Sequence, residues 1–418
     1  GIRSKMESIM SSNTIHHRVV VAGGGTAGLS VAAALLRQSP QLDVTVIEAS
    51  DVHYYQPGWT LVGGGDMRAE DTKRREEEVM PDKARWIRAT ISAFAPDENR
   101  VELASGESVT YDFLVVALGL QIDWQAIEGL SETLGRNGVT SNYRYDLAPY
   151  THELAQSLTD GAKALFTQPA MPIKCAGAPQ KALYLTADTL RKRGISAQIG
   201  FYNQGGAMFG VPAYARELDK VIASYGATPY FKHNLVAVDG EKHEATFSTE
   251  NGPVTREFDM LHVVPPQSAP DVIKKSPLAG DAGWVTVDKN RLTHTQYDNV
   301  LALGDCTDTP NAKTMAAVRR QFPVVVAELR AALGESAKKR AYDGYGACPL
   351  TVAHGKVMLA EFRYGGEVVS SFPLDPRTSR RMYWPIKSQF FPALYWQVML
   401  RGLDWHWPKP KPRPDLTE

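Results

Sequence analysis

The stretch HRVVVAGGGTAGLSVAAALLR, residues 17–37, constrains this chain more than any other. It reads as a short apolar strand, a Gly-rich turn and a helix with apolar residues at helical spacing, and DVTVIEAS (43–50) follows as the next strand. That order is a βαβ unit. Gly23, Gly25 and Gly28 match G-x-G-x-x-G between the strand and the helix, and Glu48 ends the second strand twenty residues after Gly28. The physical demands are a tight turn, close backbone approach to a pyrophosphate, close helix packing and a carboxylate for ribose hydroxyls. Three glycines alone would mean little; with strand, helix and acid in place they predict dinucleotide binding.

A chain of 418 residues with 43% hydrophobic and 22% charged residues can build two or three cored domains. Lys plus Arg equals Asp plus Glu at 46 each, which leaves no electrostatic footprint for nucleic acid. Cys175, Cys306 and Cys348 are the only cysteines, too few for a disulfide scaffold and without CxxC or Cys/His metal spacing, so no metal site is expected. Residues 1–14 are polar and lack the apolar core of a secretory signal, so export by that route is not expected.

Residues 86–119, ending FLVVALG, suggest a meander closed by an apolar strand, and NVLALGDCTD (299–308) repeats the pattern of a strand ending in Gly-Asp. In this order the motifs resemble the FAD half of the two-dinucleotide-domain flavoproteins related to glutathione reductase. That resemblance places Gly119 at the FAD site and Asp305 against the ribityl or pyrophosphate part. Between them, KALFTQP, CAGAPQ, KALYLTADTLRKRG and AQIGFYN form a second βαβ unit. The expected division is an FAD domain over 16–144 and 266–335, a second Rossmann-like domain over 145–265, and a C-terminal region over 336–418. The fold class is α/β.

The second unit's turn reads Cys175-Ala176-Gly177-Ala178-Pro179-Gln180. The glycine triplet for a pyridine nucleotide is gone, and Pro179 removes an amide donor. A cysteine at a helix start, directly after Lys174, is a candidate thiolate, although free cysteines commonly pack as small hydrophobes. Cys348 lies far along the chain in YGACPL; if the two sulfurs can bridge, they form a redox-active pair. Cys306 is read as packing beside the flavin site. A helix is expected near 312–333, then two hairpin-like strands, then SRRMYWPIKSQFFPALYWQVMLRGLDWHW. Its uncharged run, Ser388–Leu400, has thirteen residues, too few to span a bilayer of about 30 Å. An interfacial helix would bury Trp384, Phe390, Phe391, Tyr395 and Trp396 and turn Arg380, Arg381, Lys387 and Arg401 to the polar side; a buried helix or a dimer contact is the plainer alternative. The Pro-rich end is expected to be extended.

YYQPGWTLVGGG, PIKCAGAPQK, MLHVVPPQSAPDV, GDCTDTPNAKTMAAV, DGYGACPL and the aromatic C-terminal segment, in order over residues 18–405, resemble the sulfide:quinone oxidoreductases, particularly the type that includes the mitochondrial enzymes. The resemblance implies an FAD enzyme bound peripherally to one side of the bacterial cytoplasmic or mitochondrial inner membrane. It would pass two electrons from hydrogen sulfide to ubiquinone or menaquinone. Cys175 and Cys348 match the family's catalytic pair, joined at rest by a disulfide or a bridging sulfur. Hydrosulfide attacks at Cys348, leaving a persulfide there and freeing the Cys175 sulfur to interact with flavin C4a. The sulfur then passes to sulfide, sulfite, cyanide or a thiol such as glutathione. Lys387 matches a lysine near isoalloxazine and quinone, though a lone lysine on such a helix usually snorkels to water. Phe390, Phe391 and Trp396 are candidates to stack the quinone, and Lys313 and Thr314 to offer donors to the flavin. Tyr55, Gln56 and Pro57 match a segment near the active site, and His262 reads as a core or surface residue. Arg319 and Arg320 are more polar than this stretch of the family leads one to expect. A type II NADH:quinone oxidoreductase, a flavocytochrome sulfide dehydrogenase subunit and a catalytically silent flavoprotein scaffold are the rival readings. A homo-oligomer is left open.

Overall fold

The structure, a computed structural model, describes residues 13–405 and 409–417. The polar opening considered as a signal lies almost entirely outside the described residues, as do 406–408 of the aromatic segment.

The first unit folds as its pattern dictates. Strand β1 (Thr14–Ala22) runs into helix α1 (Thr26–Gln38) and then β2 (Val44–Ile47). Val19, Val20 and Val21 are wholly buried, as expected of a parallel strand covered on both faces. Helix α1 is apolar nearly all round because one side meets the sheet and another the long helix described below. The sheet runs from Arg85–Ile87 through β2 and β1 to β3 (Ser108–Val116), parallel throughout. The far edge of β3 is shared. Arg100–Leu103 covers its first half in antiparallel register, and a late strand covers its second half, as given below.

The chain then builds a second parallel sheet from Val139–Thr140, Met260–His262, β4 (Lys163–Gln168), β5 (Gln198–Asn203) and Thr228–Phe231. Helix α2 (Ala178–Lys192) links β4 to β5. Val139–Thr140 belongs to this sheet, so the chain enters it six residues before the expected boundary at 145. After it returns, β6 (Val300–Ala302) pairs β3 at Leu114–Val116, which rebuilds the first sheet from residues 186 positions apart. Helix α3 (Met315–Ala332) follows, its first turn capped by Thr314, whose Oγ1 accepts from Ala317 N at 3.1 Å, and packs on α1.

Beyond it, β7 (Gly346–Ala353) and β8 (Lys356–Arg363) form the expected hairpin, extended by Glu367–Ser370 and by Lys411–Pro412 from the Pro-rich end. A helical segment runs from Tyr383 to Met399, widened into π-turns at Ile386–Phe390 and Tyr395–Met399, around Pro385 and Pro392. Among the described residues no helix is long and apolar enough to cross a membrane.

Candidate active site

The ends of β1, β3 and β6 and the starts of α1, α2 and α3 converge on one cavity of about 670 Å³. Its dinucleotide end is shaped by absent side chains. A Cβ on Gly28 would lie 1.8 Å from the Gly23 carbonyl, so this glycine permits helix α1 to close on the turn. Gly25 differs, because a Cβ there would meet nothing within 4 Å, and the residue lines the cavity. Helix α1 has no side-chain cap at Gly25, which leaves its first-turn amides for a ligand. Glu48 accepts from Gly24 N at 2.9 Å and Ser50 N at 3.0 Å and lines the same end. Gly119, at φ +70°, leaves a second opening on the cavity wall. These residues fit an adenine dinucleotide.

The cysteine turn stands on the same cavity. Cys175 takes a left-handed backbone at φ +53°, its N–H bonded to Lys313 O at 2.9 Å and its carbonyl accepting from Ala178 N at 2.8 Å. This cysteine lies two residues ahead of the Gly177 cap of α2. Cys175 and Cys348 are free thiols. Cys175 opens on the cavity, while Cys348 on β7 is buried behind it, where a Cβ on Gly177 would meet its Sγ at 2.7 Å. The two interact directly. A hydrogen bond from the Cys348 thiol is the largest influence pulling Cys175 well below the usual cysteine range; burial opposes it, and the Lys181 and Lys387 ammonium groups add to it. Cys348 is correspondingly pushed well up by that hydrogen bond and by burial. The pair therefore carries its thiolate at Cys175.

The cation that matters is not the sequence neighbour. Lys174 extends its ammonium to Gln56 Oε1, whereas Lys181, in the first turn of α2, donates to Cys175 Sγ at 3.3 Å. Burial works against the Lys181 charge, yet the two sulfurs outweigh it and hold its pKa above the ordinary value. Lys181 was missed in the sequence, where only its position six residues after the cysteine pointed to it. Lys387 corrects a second expectation. It is 3% exposed rather than on a polar face, donates to Pro57 O at 3.3 Å, and burial with Lys181 nearby lowers its pKa to about 8. Tyr55 is buried too, its hydroxyl unpartnered at the cavity wall.

Asp305, Lys313 and Thr314 line the cavity as placed. The Lys313 ammonium is already engaged by the carbonyls of Asp305 and Thr307, at 2.8 and 2.9 Å, and lies 4.0 Å over the Trp284 ring. Burial raises the Asp305 carboxyl, with Lys313 and Lys174 opposing. Cys306 donates to the carbonyls of Leu303 and Val116, and burial pushes it up to about 11, which suits packing. His262 is fully buried, its Nε2 accepting from Asn142 N at 2.9 Å, with its pKa driven down to about 3 by burial. Phe390 and Phe391 line the cavity's aromatic end; Trp396 does not, being packed under Arg74 at 4.2 Å and against His53 and Tyr55.

The β7–β8 hairpin divides what lies around it. Cys348 and Leu350 face α2, together with their partners Ala360 and Met358. Ala347 and Pro349, with their partners Glu361 and Leu359, face the aromatic end of the cavity.

Fold and site together define a flavoprotein oxidoreductase with two dinucleotide-type domains and a cysteine pair in place of the second nucleotide turn. Residues 17–155 match the family described as pyridine nucleotide-disulphide oxidoreductase. The chain is 44% identical over 392 residues to the mitochondrial sulfide:quinone oxidoreductase of Dictyostelium discoideum, covering 92% of this chain and 86% of that one. It is 39% identical to the mitochondrial enzyme of Mus musculus, covering 93% and 87%. The crystal structure of the Aquifex aeolicus sulfide:quinone oxidoreductase superposes with a TM-score of 0.76 at 19% identity, over 93% of this chain and 92% of that one. The chain belongs to the sulfide:quinone oxidoreductases, and it is an FAD-dependent oxidoreductase.

Proposed function

We propose that the chain oxidises hydrogen sulfide at Cys175 and Cys348 and hands two electrons to a membrane quinone at the Phe390–Phe391 end of the cavity. The observation that carries this is the thiolate-stabilising contact of Lys181 with Cys175, on the cavity that also holds the glycine cradle. FAD, held by the turn at Gly23 and Gly25, Glu48, Gly119 and the start of α3, supplies a two-electron carrier between the two substrates.

The residues account for the sulfur step. In the oxidised form the two thiols would be joined as a Cys175–Cys348 disulfide, with two protons released and two electrons passed to FAD; hydrosulfide attacks its Cys348 sulfur, the new S–S bond leaves a persulfide on Cys348, and the S–S bond that breaks releases the Cys175 thiolate. Lys181 stabilises that leaving thiolate, which lowers the barrier to exchange. Lys387 faces the cavity as a buried cation and offsets negative charge that develops there during reduction. The sulfane sulfur leaves to sulfide, sulfite, cyanide or a thiol.

The aromatic helix fits peripheral membrane attachment. Met382, Phe390 and Leu403 are 56%, 43% and 41% exposed, and Arg381 and Arg401 stand beside them in water. A lipid-soluble quinone would enter past Phe390. The relatives' mitochondrial naming favours the inner mitochondrial membrane over a bacterial one.

Reduction by NADH is the rival, and the hairpin argues against it. A Cβ on Gly177 would meet Leu350 Cδ2 at 2.4 Å, so β7 covers the α2 start on which a second pyrophosphate would rest. The test is anaerobic titration with sulfide, and separately with NADH, of wild type, Cys175→Ser and Cys348→Ser, followed by flavin absorbance. Sulfide is expected to bleach wild type only. Bleaching by NADH and not by sulfide would overturn the reading.

A further inference from the structure

We infer that Arg319 is a specificity-determining residue of the quinone compartment, donating hydrogen bonds to one ring carbonyl oxygen of the bound quinone. The inference rests on the sulfide-to-quinone reading above. Arg319 and Arg320 are the pair that looked too polar in the sequence, and the structure gives the first of them a place in the cavity wall. Leu359, Phe372, Phe390, Phe391 and Trp405 line the same cavity, with the Glu361 carboxylate and Ser371 as polar neighbours. Among the described residues the guanidinium gives one hydrogen bond, Nη1 to Trp405 O at 3.0 Å, and the Trp405 ring meets Phe390 at 5.9 Å, so Arg319 adjoins the aromatic residues that would stack the ring. A guanidinium has five N–H donors, which leaves donors for a ligand.

Arg319 also has the acidic groups Glu361 and Asp404 within electrostatic reach. Glu361 on β8 is 2% exposed and fixed by Tyr345 Oη and Ser371 N, each at 2.7 Å, and by the Ser371 hydroxyl. The Tyr345 ring lies 5.9 Å from the Arg319 guanidinium and 5.1 Å from that of Arg320. Burying a guanidinium costs free energy unless charge and hydrogen bonds compensate. The Tyr345 ring beside Arg319 and the Glu361 and Asp404 carboxylates farther off offset part of that cost, although burial still lowers the guanidinium pKa.

The occupant is identified by its chemistry. A quinone has a flat ring for the aromatic residues and two oxygens that only accept, and both become more basic as electrons arrive, which strengthens a bond from a fixed cation. An anionic sulfur acceptor such as sulfite would also seek a guanidinium. It must reach the persulfide on Cys348, however, and that side chain points to the opposite face of β7 from Ala347, Pro349 and the arginine.

The experiment uses the FAD-loaded protein in its oxidised form. Ubiquinone-1 is titrated against tryptophan fluorescence in wild type, Arg319→Ala and Arg319→Lys. Loss of a charge-assisted bond predicts a Kd raised about 10- to 100-fold in R319A, and by less in R319K, which keeps the charge without the fork. The KM for sulfite as acceptor should stay at the wild-type value. An unchanged quinone Kd in R319A overturns the inference, and so does a raised sulfite KM with unchanged quinone binding. Should R319A fail to accumulate with bound FAD, R319K carries the same test, and an unchanged Kd there overturns it. Bleaching by sulfide in the same wild-type preparation reads the functional proposal separately, because quinone binding to the oxidised protein needs no sulfide.

Discussion

Replacing Lys181 with methionine tests how the cysteine pair is tuned. The ammonium lies 3.3 Å from Cys175 Sγ in a buried turn. At an effective dielectric of about 20, a unit pair at that distance interacts by about 5 kcal/mol. Lys387 remains in K181M and water enters the gap, so roughly a quarter to a half of that figure should be lost, about 1–2.5 kcal/mol or one to two pKa units. Methionine keeps the length and helix preference of lysine and leaves α2 intact. The sign follows directly: a cation favours the thiolate, so its removal raises the Cys175 pKa and cuts the thiolate fraction at acidic pH about 10- to 100-fold. The assay is the rate of iodoacetamide alkylation of the reduced protein from pH 5 to 10, with the modified peptide identified by mass. Cys306 and Cys348 are held protonated, so the early limb reads Cys175 alone. Lys181→Arg should restore the wild-type midpoint. If the K181M midpoint moves by less than about 0.3 unit, or moves down, the electrostatic account of this site is wrong.

Three further outcomes follow from the geometry. Gly25→Ala should purify folded but colourless, because its Cβ enters the pyrophosphate cradle with no protein atom within 4 Å, whereas Gly28→Ala should also melt earlier because its Cβ strikes the Gly23 carbonyl; flavin absorbance and melting curves separate the two. Lys387, lowered to about 8 from 10.5, binds its proton more readily unfolded than folded, so its burial costs about 3 kcal/mol below pH 8 and the cost fades as pH rises to 10.5. Lys387→Met should therefore raise the melting temperature at pH 7 more than at pH 10, while wild-type quinone reduction should fall as pH rises through 8. Tyr395→Phe removes the hydroxyl shared with Thr26, at 2.9 Å, and His53, and should lower stability by about 1–3 kcal/mol while speeding proteolysis near residues 383–405.

What was legible in the sequence was local. The dinucleotide turn could be read because strand, glycines, helix and acid are contiguous, and the structure spends each glycine as the motif requires. Cys175 could be read because a nucleotide turn without its glycines is conspicuous. Its partner cation could not, since the left-handed backbone at Cys175 turns the thiol from Lys174 toward the helix behind it. The polar face assigned to Lys387 failed for a related reason: π-turns around two prolines break the 3.6-residue period on which that assignment rested. Trp396 was read as a stacking residue from composition, but its depth under Arg74 depends on a contact across more than three hundred residues. Glu361 left no mark at all, because alternation along a strand does not say which face meets a cavity.

That alternation has a chemical meaning. Quinones are electrophiles that thiols and hydrosulfide add to readily, and a persulfide is a stronger nucleophile than either parent. On the proposed sulfide-to-quinone reading, setting Cys348 and the Ala347–Pro349 surface on opposite faces of one strand would let a nucleophile and an electrophile serve the same electron carrier without meeting. The thickness of a single β-strand would then do the work of a protecting group, giving a net transfer of electrons where free mixing would give an adduct.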